Sequence, residues 1–251
     1  LGGDDYFFTD DNSTITTLDG GAGNDFFQIG QVFGVAPTQA NGLFEDIAYT
    51  EITLGYLTHG VSRPLTVYGG DGQDQFSVYS NRAVLKLFGE DGDDEFIVRA
   101  FALDDVQIAG GEGDDVIRYN INAPVAIDGG GGNDTVVVLG TELDDNFVIS
   151  KDGIYGAGQS IGYENIEQAE VDGLEGDDTF FILSTKAGLV TTVIGGKGAD
   201  VFNVGSDVTR TIVAGDSAGR SGFINHNVLS DDPAYNGIFV DGIALNVADD
   251  S

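Results

Sequence analysis

The amino-acid sequence predicts an all-β fold, namely a right-handed parallel β-helix (a β-solenoid) in which each rung takes about twenty residues. Three observations predict it: a turn rich in glycine and acidic residues recurs along the chain, short strands flank each copy, and no segment shows helical periodicity. A unit of that length cannot bury its own apolar face, so each unit must stack on its neighbours. We expect residues 1–251 to form one such module.

Each copy of the repeat consists of a strand, a six-residue turn and a second strand. In one representative copy, the strand Leu65–Val67 leads into the turn Gly69–Asp74, and apolar and polar residues then alternate over Gln75–Val78, which is the period of a half-buried strand. Glycine is common at turn positions 1, 2 and 4, and an aspartate closes the turn at position 6. The closing aspartates of the full copies are Asp25, Asp74, Asp94, Asp115, Asp134, Asp178 and Asp200, and a half-copy ends at Asp5.

The spacing of the closing aspartates separates regular from irregular parts of the chain. Successive steps are 20, 49, 20, 21, 19, 44 and 22 residues, so two steps are roughly double the others. We expect each long step, over residues 30–67 and 139–172, to hold an extra rung without a metal-binding turn, together with a protruding loop. Beyond Asp200 the repeat decays, and residues 205–251 are predicted to be a cap or the start of another module.

Composition limits the possible partners. The chain has 10 lysines and arginines against 42 acidic residues, a net charge of -32, which repels nucleic acid and anionic lipid and attracts cations. No apolar run approaches the length of a membrane span, so no membrane insertion is expected. The absence of cysteine excludes disulfides and thiolate metal sites. Because the chain begins within a repeat and lacks a signal segment, we expect an excerpt of a longer array.

The turns contain the type of ligand that a cation needs. Glycine lets the backbone direct its carbonyl groups towards a common point, and the closing aspartate adds a carboxylate. Carbonyl and carboxylate oxygens are hard ligands, of the kind that calcium takes in sets of about six to eight. A merely solvated acidic surface does not explain acids that are gathered in turns. The residues therefore indicate calcium as the partner.

The seven full turns and the apolar residues after them follow the nonapeptide pattern G-G-x-G-x-D-x-U-x. The copies at residues 20–27, 69–76 and 110–117 fit it fully, whereas Glu90 and Leu174 replace its second glycine in two others. In this pattern the chain resembles the RTX, or hemolysin-type, calcium-binding repeat proteins, whose repeats form β-helices. The resemblance implies calcium ions between consecutive turns, held by turn carbonyls and closing aspartates, in an extracellular or bacterial cell-surface protein.

The chain departs from the simple RTX pattern in its spacing. A simple RTX roll has nine-residue half-turns with calcium on both edges, whereas the metal-type turns here recur about every twenty residues. The chain is more similar to the degenerate long-rung repeats of very large bacterial surface proteins. We therefore expect calcium turns along one edge of the solenoid, and neighbouring solenoid modules or like chains, joined end to end, as further partners.

The resemblance assigns the candidate metal ligands to three sets of turn residues. The closing aspartates are Asp5, Asp25, Asp74, Asp94, Asp115, Asp134, Asp178 and Asp200. The candidates that directly precede a closing aspartate are Asn24, Asp93, Asp114, Asn133 and Asp177. The glycines that would supply carbonyl oxygens are Gly21, Gly23, Gly70, Gly72, Gly92, Gly111, Gly113, Gly130, Gly132, Gly176, Gly196 and Gly198.

Because the ligands would come from adjacent rungs, only turns one rung apart can complete a site. About five calcium sites are expected, between closing aspartates 5 and 25, among 74, 94, 115 and 134, and between 178 and 200. In this scheme Asp74 has no partner one rung before it and pairs forward with Asp94.

Two other functions stay open. A polysaccharide-modifying β-helix enzyme, a lyase or an epimerase, would use paired acids such as Asp144-Asp145 or Asp231-Asp232, but lysine, arginine and histidine are scarce for holding an anionic sugar. An adhesin module would bind a surface ligand, but rows of threonine do not recur from rung to rung. We expect a structural module without enzymatic activity.

Two smaller motifs have simpler explanations. Residues 215–219 match the G-x-S-x-G pattern of a hydrolase nucleophile, yet they lie at a turn position of the decayed repeat and no amphipathic helix follows. His59 and His226 are the only histidines, and each is better explained as a loop residue than as a zinc ligand. We therefore expect no catalytic residue and no cofactor besides calcium.

Overall fold

A computed structural model describes residues 2–99, 106–120, 124–205 and 244–248. These residues form an all-β structure with one short 3-10 helix, Gln39–Asn41. The chain divides into two compact units: unit 1 is Leu1–Val136 with Gly158–Ile166, and unit 2 is Val137–Ala157 with Glu167–Ser251. Within the described ranges, no helix is long and apolar enough to cross a membrane.

The strands are short and follow the alternation predicted from the sequence. The first thirteen are β1 (Tyr6–Thr9), β2 (Thr16–Ala22), β3 (Phe26–Ile29), β4 (Val32–Phe33), β5 (Tyr49–Ile52), β6 (Gly55–Thr58), β7 (Leu65–Asp71), β8 (Gln75–Val78), β9 (Leu85–Asp91), β10 (Glu95–Val98), β11 (Val106–Glu112), β12 (Val116–Tyr119) and β13 (Pro124–Gly131). The others are β14 (Thr135–Leu139), β15 (Asn146–Ser150), β16 (Gly153–Gly156), β17 (Gln159–Glu164), β18 (Gln168–Asp172), β19 (Thr179–Ile182), β20 (Val190–Ile194), β21 (Val201–Val204) and β22 (Ala244–Ala248).

Unit 1 contains two parallel sheets, and each repeat turn leads from one to the other. The first sheet has the order β2-β7-β9-β11-β13-β17, and the second has β1-β3-β8-β10-β12, with the first residues of β14 beside β12. In the first sheet Leu65 pairs with Leu85, Leu85 with Val106 and Val106 with Val125. This register places equivalent residues of successive repeats side by side, which is the pairing expected of a β-helix.

The core of unit 1 is made of ladders of identical or similar side chains. Phe27, Phe76 and Phe96 are fully buried, and their rings stack with centroids 5.0 and 4.5 Å apart. The first sheet contributes the buried residues Val67, Leu87, Ile108 and Ile127. Each such side chain removes apolar surface from water only because the neighbouring rung covers it, so burial depends on stacking.

The segment between the first two full turns does not form an extra rung, so this expectation for residues 30–67 is wrong. Strand β2 pairs directly with β7, and β3 pairs directly with β8. Strands β4, β5 and β6 instead form a separate antiparallel sheet in the order β4-β6-β5. The two-residue turn Thr53-Leu54 joins β5 to β6 as a hairpin, so these strands pair locally and leave the main sheets uninterrupted.

Unit 2 has a sheet of order β16-β15-β19-β21 and a second group of order β18-β20-β22. Strands β15 and β16 form an antiparallel hairpin, whereas β15 pairs with β19 and β19 with β21 in parallel. Phe147, Phe180 and Phe202 stack in register along these three strands, with centroids 5.4 and 5.0 Å apart. Residues 139–172 thus add a strand, β15, that pairs with the strand following Asp178.

Several sequence predictions fall outside the described residues. These are the G-x-S-x-G segment at 215–219, His226, the pair Asp231-Asp232 and, apart from residues 205 and 244–248, the whole predicted cap at 205–251.

Candidate metal centre

The repeat turns are brought together by the strands on either side of them. The first strand of each repeat extends into the turn, and the second begins directly after the closing aspartate, as β7 and β8 do around Asp74. Because both strands pair in parallel with those of the next repeat, position 6 of one turn lies beside position 6 of the next.

The closing aspartates form a ladder of hydrogen bonds within each unit. In unit 1 the backbone amide of each aspartate donates to Oδ1 of the next: Asp5 to Asp25 (2.6 Å), Asp25 to Asp74 (2.7 Å), Asp74 to Asp94 (2.8 Å), Asp94 to Asp115 (2.9 Å) and Asp115 to Asp134 (2.9 Å). In unit 2 Asp145 donates to Asp178 (2.8 Å) and Asp178 to Asp200 (2.9 Å).

The ladder corrects one prediction. Asp74 was expected to lack a partner on the preceding rung, because 49 residues separate it from Asp25. The amide of Asp25 nevertheless donates to Asp74 Oδ1, since the intervening residues leave the sheets as an insertion. The column of aspartates in unit 1 is therefore continuous.

The second oxygen of these carboxylates is left without a partner. Asp25 is only 2% exposed and Asp115 is 0% exposed. The buried Oδ2 atoms that accept no hydrogen bond belong to Asp5, Asp25, Asp74, Asp94, Asp115, Asp178 and Asp200. A buried carboxylate oxygen without a donor is costly, and such atoms are rare unless an ion, water or functional role accounts for them.

Each of six Oδ2 atoms lies close to a backbone carbonyl oxygen of the next turn, beside the same glycine. A Cβ added to Gly69, for example, would lie within 2.7 Å of both Asp74 Oδ2 and the carbonyl oxygen of Gly89. We call this arrangement an acid–carbonyl pair, and we call a turn open where the Oδ2 atom of its pair accepts no hydrogen bond. The pairs of the open turns are Asp25 with Gly69, Asp74 with Gly89, Asp94 with Gly110, Asp115 with Gly129, and Asp178 with Gly195, and a sixth pair joins Asp145 to Gly173.

The burial of these carboxylates changes their acidity. Burial raises the pKa of Asp94 to about 8, and repulsion from Asp115, Asp74 and Asp93 adds to the effect, although the amide of Asp74 opposes it. Burial likewise raises the pKa values of Asp74, Asp115 and Asp178 to about 6. A negative charge at these positions lacks a compensating positive charge, so each carboxylate favours binding a proton or a cation.

The residues just before the closing aspartates lie on the exposed side of the turns. In four of the five, a side-chain oxygen accepts a hydrogen bond from the backbone amide at position 5 of the following turn; Asp93 accepts from Asp114, and Asp114 accepts from Asn133. Asn24 accepts from Gln73, and Asp177 accepts from Ala199, in the same way. These four predicted ligands thus have one oxygen in a second, outer ladder, and none belongs to an acid–carbonyl pair.

The predicted glycines at positions 2 and 4 shape the turns, while the carbonyls that face the carboxylates come from position 1. Position 2 takes a positive φ even where it is not glycine, at Glu90 (77°) and Leu174 (74°). The position-1 glycines were absent from the candidate ligands. A signal for them was present, because position 1 is glycine in every full copy, including the two that lack glycine at position 2.

One ladder member, Asp145, was not predicted to close a repeat turn, although the pair Asp144-Asp145 is typical of turns. The segment Gly140–Asp145 lacks glycine at positions 2 and 4. Asp145 is nevertheless buried, at 8% exposure, and joins the ladder through Asp178. Its Oδ2 accepts hydrogen bonds from the backbone amide of Thr141 (2.7 Å) and from the Thr141 hydroxyl (2.9 Å). This turn is therefore not open.

The oxygen atoms of the open turns are of the types that calcium binds. Across the described residues, no three acidic, histidine or cysteine side chains converge on a point that could hold a metal ion. A cation at an open turn would therefore take its oxygens from one or two carboxylates and from backbone carbonyls. Calcium accepts such mixed sets and tolerates irregular geometry, unlike magnesium, which requires a near-octahedral arrangement.

His59 lies apart from the turns, at a cavity of about 50 Å³ beside the insertion of unit 1. Its Nε2 is 2.9 Å from Thr50 Oγ1, and burial together with nearby Arg82 lowers the pKa of His59. Asp10, in the same cavity, accepts hydrogen bonds from Thr58 and Gln31.

No protein-family model matches the chain, and no curated protein matches it either. What the turns bind must therefore be inferred from their geometry.

Proposed function

We propose that this chain is a calcium-binding structural module of a large extracellular or bacterial cell-surface protein of the RTX-like, long-rung type. The strands of each unit are rungs of a right-handed parallel β-helix, with about twenty residues per rung and one column of turns per unit. The single observation behind the proposal is the set of buried, unpartnered Oδ2 atoms facing carbonyl oxygens, at Asp25, Asp74, Asp94, Asp115 and Asp178.

A buried carboxylate oxygen that lies close to a carbonyl oxygen and has no donor is stabilised by a positive group near both, either a proton or a cation. A carboxyl with a pKa of about 6, as at Asp74, Asp115 and Asp178, is mostly ionised near neutral pH. Protons therefore cannot neutralise most of the column in a neutral medium. A cation can, and the net charge of -32 attracts one from solution.

The ligand types favour calcium among the common cations. The open turns offer only carboxylate and carbonyl oxygens, whereas zinc and copper sites are usually built with imidazole or thiolate. Extracellular calcium modules bind with Kd values of about 10⁻⁴ to 10⁻³ M, which suits a medium with millimolar calcium. This chemistry supports an extracellular location.

Calcium binding would be coupled to folding. Without the metal, each rung places a carboxylate about 5 Å from the next, so like charges stack along the column. At calcium concentrations of about ten to twenty times Kd, each site stabilises the folded state by about 1.4 to 1.8 kcal/mol. We infer that the module is poorly folded at low calcium and becomes rigid outside the cell.

The proposed partners besides calcium are neighbouring modules or like chains. Among the described strands of unit 1, β1 pairs with β3 alone, whereas β2 pairs with β7 and is bridged at Ala22 to Gly2. An unpaired parallel edge can accept a further strand, which supports end-to-end stacking of solenoid modules. No enzymatic activity is part of the proposal, because the distinctive chemistry lies in stacked turns rather than in a cleft.

Calorimetric titration of the chelator-treated protein with calcium tests the proposal, with circular dichroism recorded at each step. We expect about five bound ions per chain, one for each open turn, and a rise in β content during the titration. The double variant D25N/D74N should lower the number of bound ions. An absence of calcium binding at millimolar concentration, or an equal ion count in D25N/D74N, would refute the proposal.

A further inference from the structure

The turn Gly140–Asp145 is a full member of the ladder in unit 2. The amide of Asp145 donates to Asp178 Oδ1, and the amide of Asp177 donates to Asp144 Oδ1 at 2.9 Å. A Cβ on Gly176 would lie 2.7 Å from the backbone carbon of Leu143, so the two turns are stacked closely. The turn therefore occupies the position of a repeat turn without its glycines at positions 2 and 4.

Thr141 supplies the hydrogen-bond donors that the Oδ2 atoms of the open turns lack. Its backbone amide and its hydroxyl both donate to Asp145 Oδ2, at 2.7 and 2.9 Å. The same hydroxyl oxygen accepts from the amide of Leu143 at 3.1 Å, so the side chain is engaged as both donor and acceptor. A carboxylate held by two such bonds is well satisfied, because hydrogen bonds to a charged group are stronger than neutral ones.

The backbone at position 2 determines which group faces the carboxylate. Leu174, at position 2 of the next turn, has a φ of 74° and donates its amide to Asp172 Oδ1 at 3.0 Å, on the other side from its closing aspartate. Thr141 is not among the described residues with positive φ, and its amide donates to Asp145. A β-branched residue disfavours positive φ, so threonine selects this second arrangement.

We propose that Gly140–Asp145 is a closed turn, in which Thr141 takes the place of a cation. The N–H and O–H groups direct their positive ends at Asp145 Oδ2, so a cation approaching that oxygen would meet like partial charge and would have to compete with both bonds. Thr141 is in this sense the residue that excludes calcium from one rung of unit 2. This inference rests on the proposed calcium function of the open turns.

A double variant tests the inference because the closed turn differs from an open turn, Gly110–Asp115, at only two positions. T141G/L143G gives residues 140–145 the same six residue types as the open turn Gly110–Asp115. Leu143 is 74% exposed, so its removal sacrifices little packing. The matched control is T53G/L54G, which makes the same two changes in the exposed hairpin turn between β5 and β6.

The number of calcium ions per chain, counted by native mass spectrometry, is the first measurement. We expect one more ion on T141G/L143G than on the wild type, and the wild-type number on T53G/L54G. Equal counts on the wild type and a folded T141G/L143G, with calcium bound to both, would overturn the inference.

Hydrogen exchange of the folded wild-type protein is the second measurement, and it does not depend on calcium. The amides of Thr141 and Leu143 should exchange at least about tenfold more slowly than unprotected amides. In T141V, which keeps the amide and loses the hydroxyl, Leu143 should lose about tenfold of its protection. Rapid exchange of the Thr141 amide in the wild type would overturn the inference that this turn is closed. If no variant bound calcium while the Thr141 amide stayed protected, only the proposed calcium function would be refuted.

Discussion

The turns Gly110–Asp115 and Gly140–Asp145 hold a buried aspartate in the same way and satisfy it differently. In both, the amide of the closing aspartate donates to the carboxylate of the next turn, Asp134 or Asp178. Asp115 Oδ2 lies close to the Gly129 carbonyl and Asp145 Oδ2 to the Gly173 carbonyl, but only Asp145 Oδ2 accepts hydrogen bonds, two of them from Thr141. The ladder therefore fixes where the carboxylate lies, and the residue at position 2 of the turn determines whether its Oδ2 atom has a hydrogen-bond donor.

Removal of calcium should give the largest effect. Chelation is expected to lower the free energy of unfolding by about 7 to 9 kcal/mol, from five open turns at about 1.4 to 1.8 kcal/mol each. This is comparable with the net stability of a whole domain. Urea unfolding monitored by circular dichroism, with calcium and with chelator, measures the difference. Overlapping unfolding curves in the two buffers would contradict a role of calcium in stability.

Replacing the closing aspartate by asparagine should change the stability of the protein differently in the two turns. In D115N the new amide group can donate to the Gly129 carbonyl, so without calcium we expect a gain of about 1 to 3 kcal/mol from removing a buried charge. With calcium, D115N should lose about 1.4 to 1.8 kcal/mol, because one site is damaged. In D145N the asparagine oxygen can take the place of Oδ2 and accept both bonds from Thr141 without a charge, so we expect a loss of about 1 kcal/mol in both buffers.

Urea unfolding of both variants in both buffers measures these four values. The distinguishing result is the change of sign for D115N between chelator and calcium. If D145N changed sign in the same manner, the two turns would not differ as described.

The pH dependence of the unfolding free energy should have opposite signs without and with calcium. Because the folded-state pKa of Asp94 is raised to about 8, the folded state binds more protons than the unfolded state in the range below that value. Without calcium, stability should therefore fall as the pH rises from about 6 to about 8, by at most about 1.4 kcal/mol per pH unit for this group. With saturating calcium the carboxylate is held ionised and protons compete with the metal, so stability should fall as the pH is lowered.

Thermal unfolding of the wild type and D94N at several pH values measures this slope. D94N removes the titrating group, so its calcium-free slope should be shallower. Equal slopes in the two proteins would show that Asp94 does not titrate in this range.

The smallest effect is expected for charges on the outer side of the turns. Lys197 Nζ lies 2.6 Å from Glu175 Oε1, but both side chains are more than half exposed. K197A should therefore leave both the unfolding free energy and the number of bound calcium ions nearly unchanged, because exposed ion pairs are screened by solvent. A larger loss, measured by the same urea unfolding, would indicate that the outer charges take part in the turn chemistry.

Much of the fold could be predicted from residue types alone. Glycine at fixed positions marks the turns because positive φ is strained for other residues, and alternation marks the strands because successive side chains point to opposite faces. These rules located every full turn and the stacked ladder of Phe27, Phe76 and Phe96. They also indicated oxygen ligands as the chemistry of the turns.

The pairing of the turns could not be predicted in the same way. The 49-residue step between Asp25 and Asp74 predicted a gap, yet the register of β2 with β7 makes these turns neighbours. Whether a long segment adds a rung or folds on itself depends on where its strands find partners, and local hairpin pairing prevailed over pairing with the sheet at residues 49–58. The turn Gly140–Asp145 was missed because a search for glycines cannot detect a turn in which threonine provides the hydrogen bonds.

The sequence by itself therefore determined which residues are turns, which are strands and which chemistry the turns offer, because these follow from the conformational limits and charge of each residue. Only the tertiary structure decided which turns are adjacent, which carboxylate oxygens are left without a donor, and that Thr141 satisfies one of them. The physical reason is that a hydrogen bond or an unpaired charge belongs to two groups in contact, and contact across a sheet depends on register rather than on sequence distance.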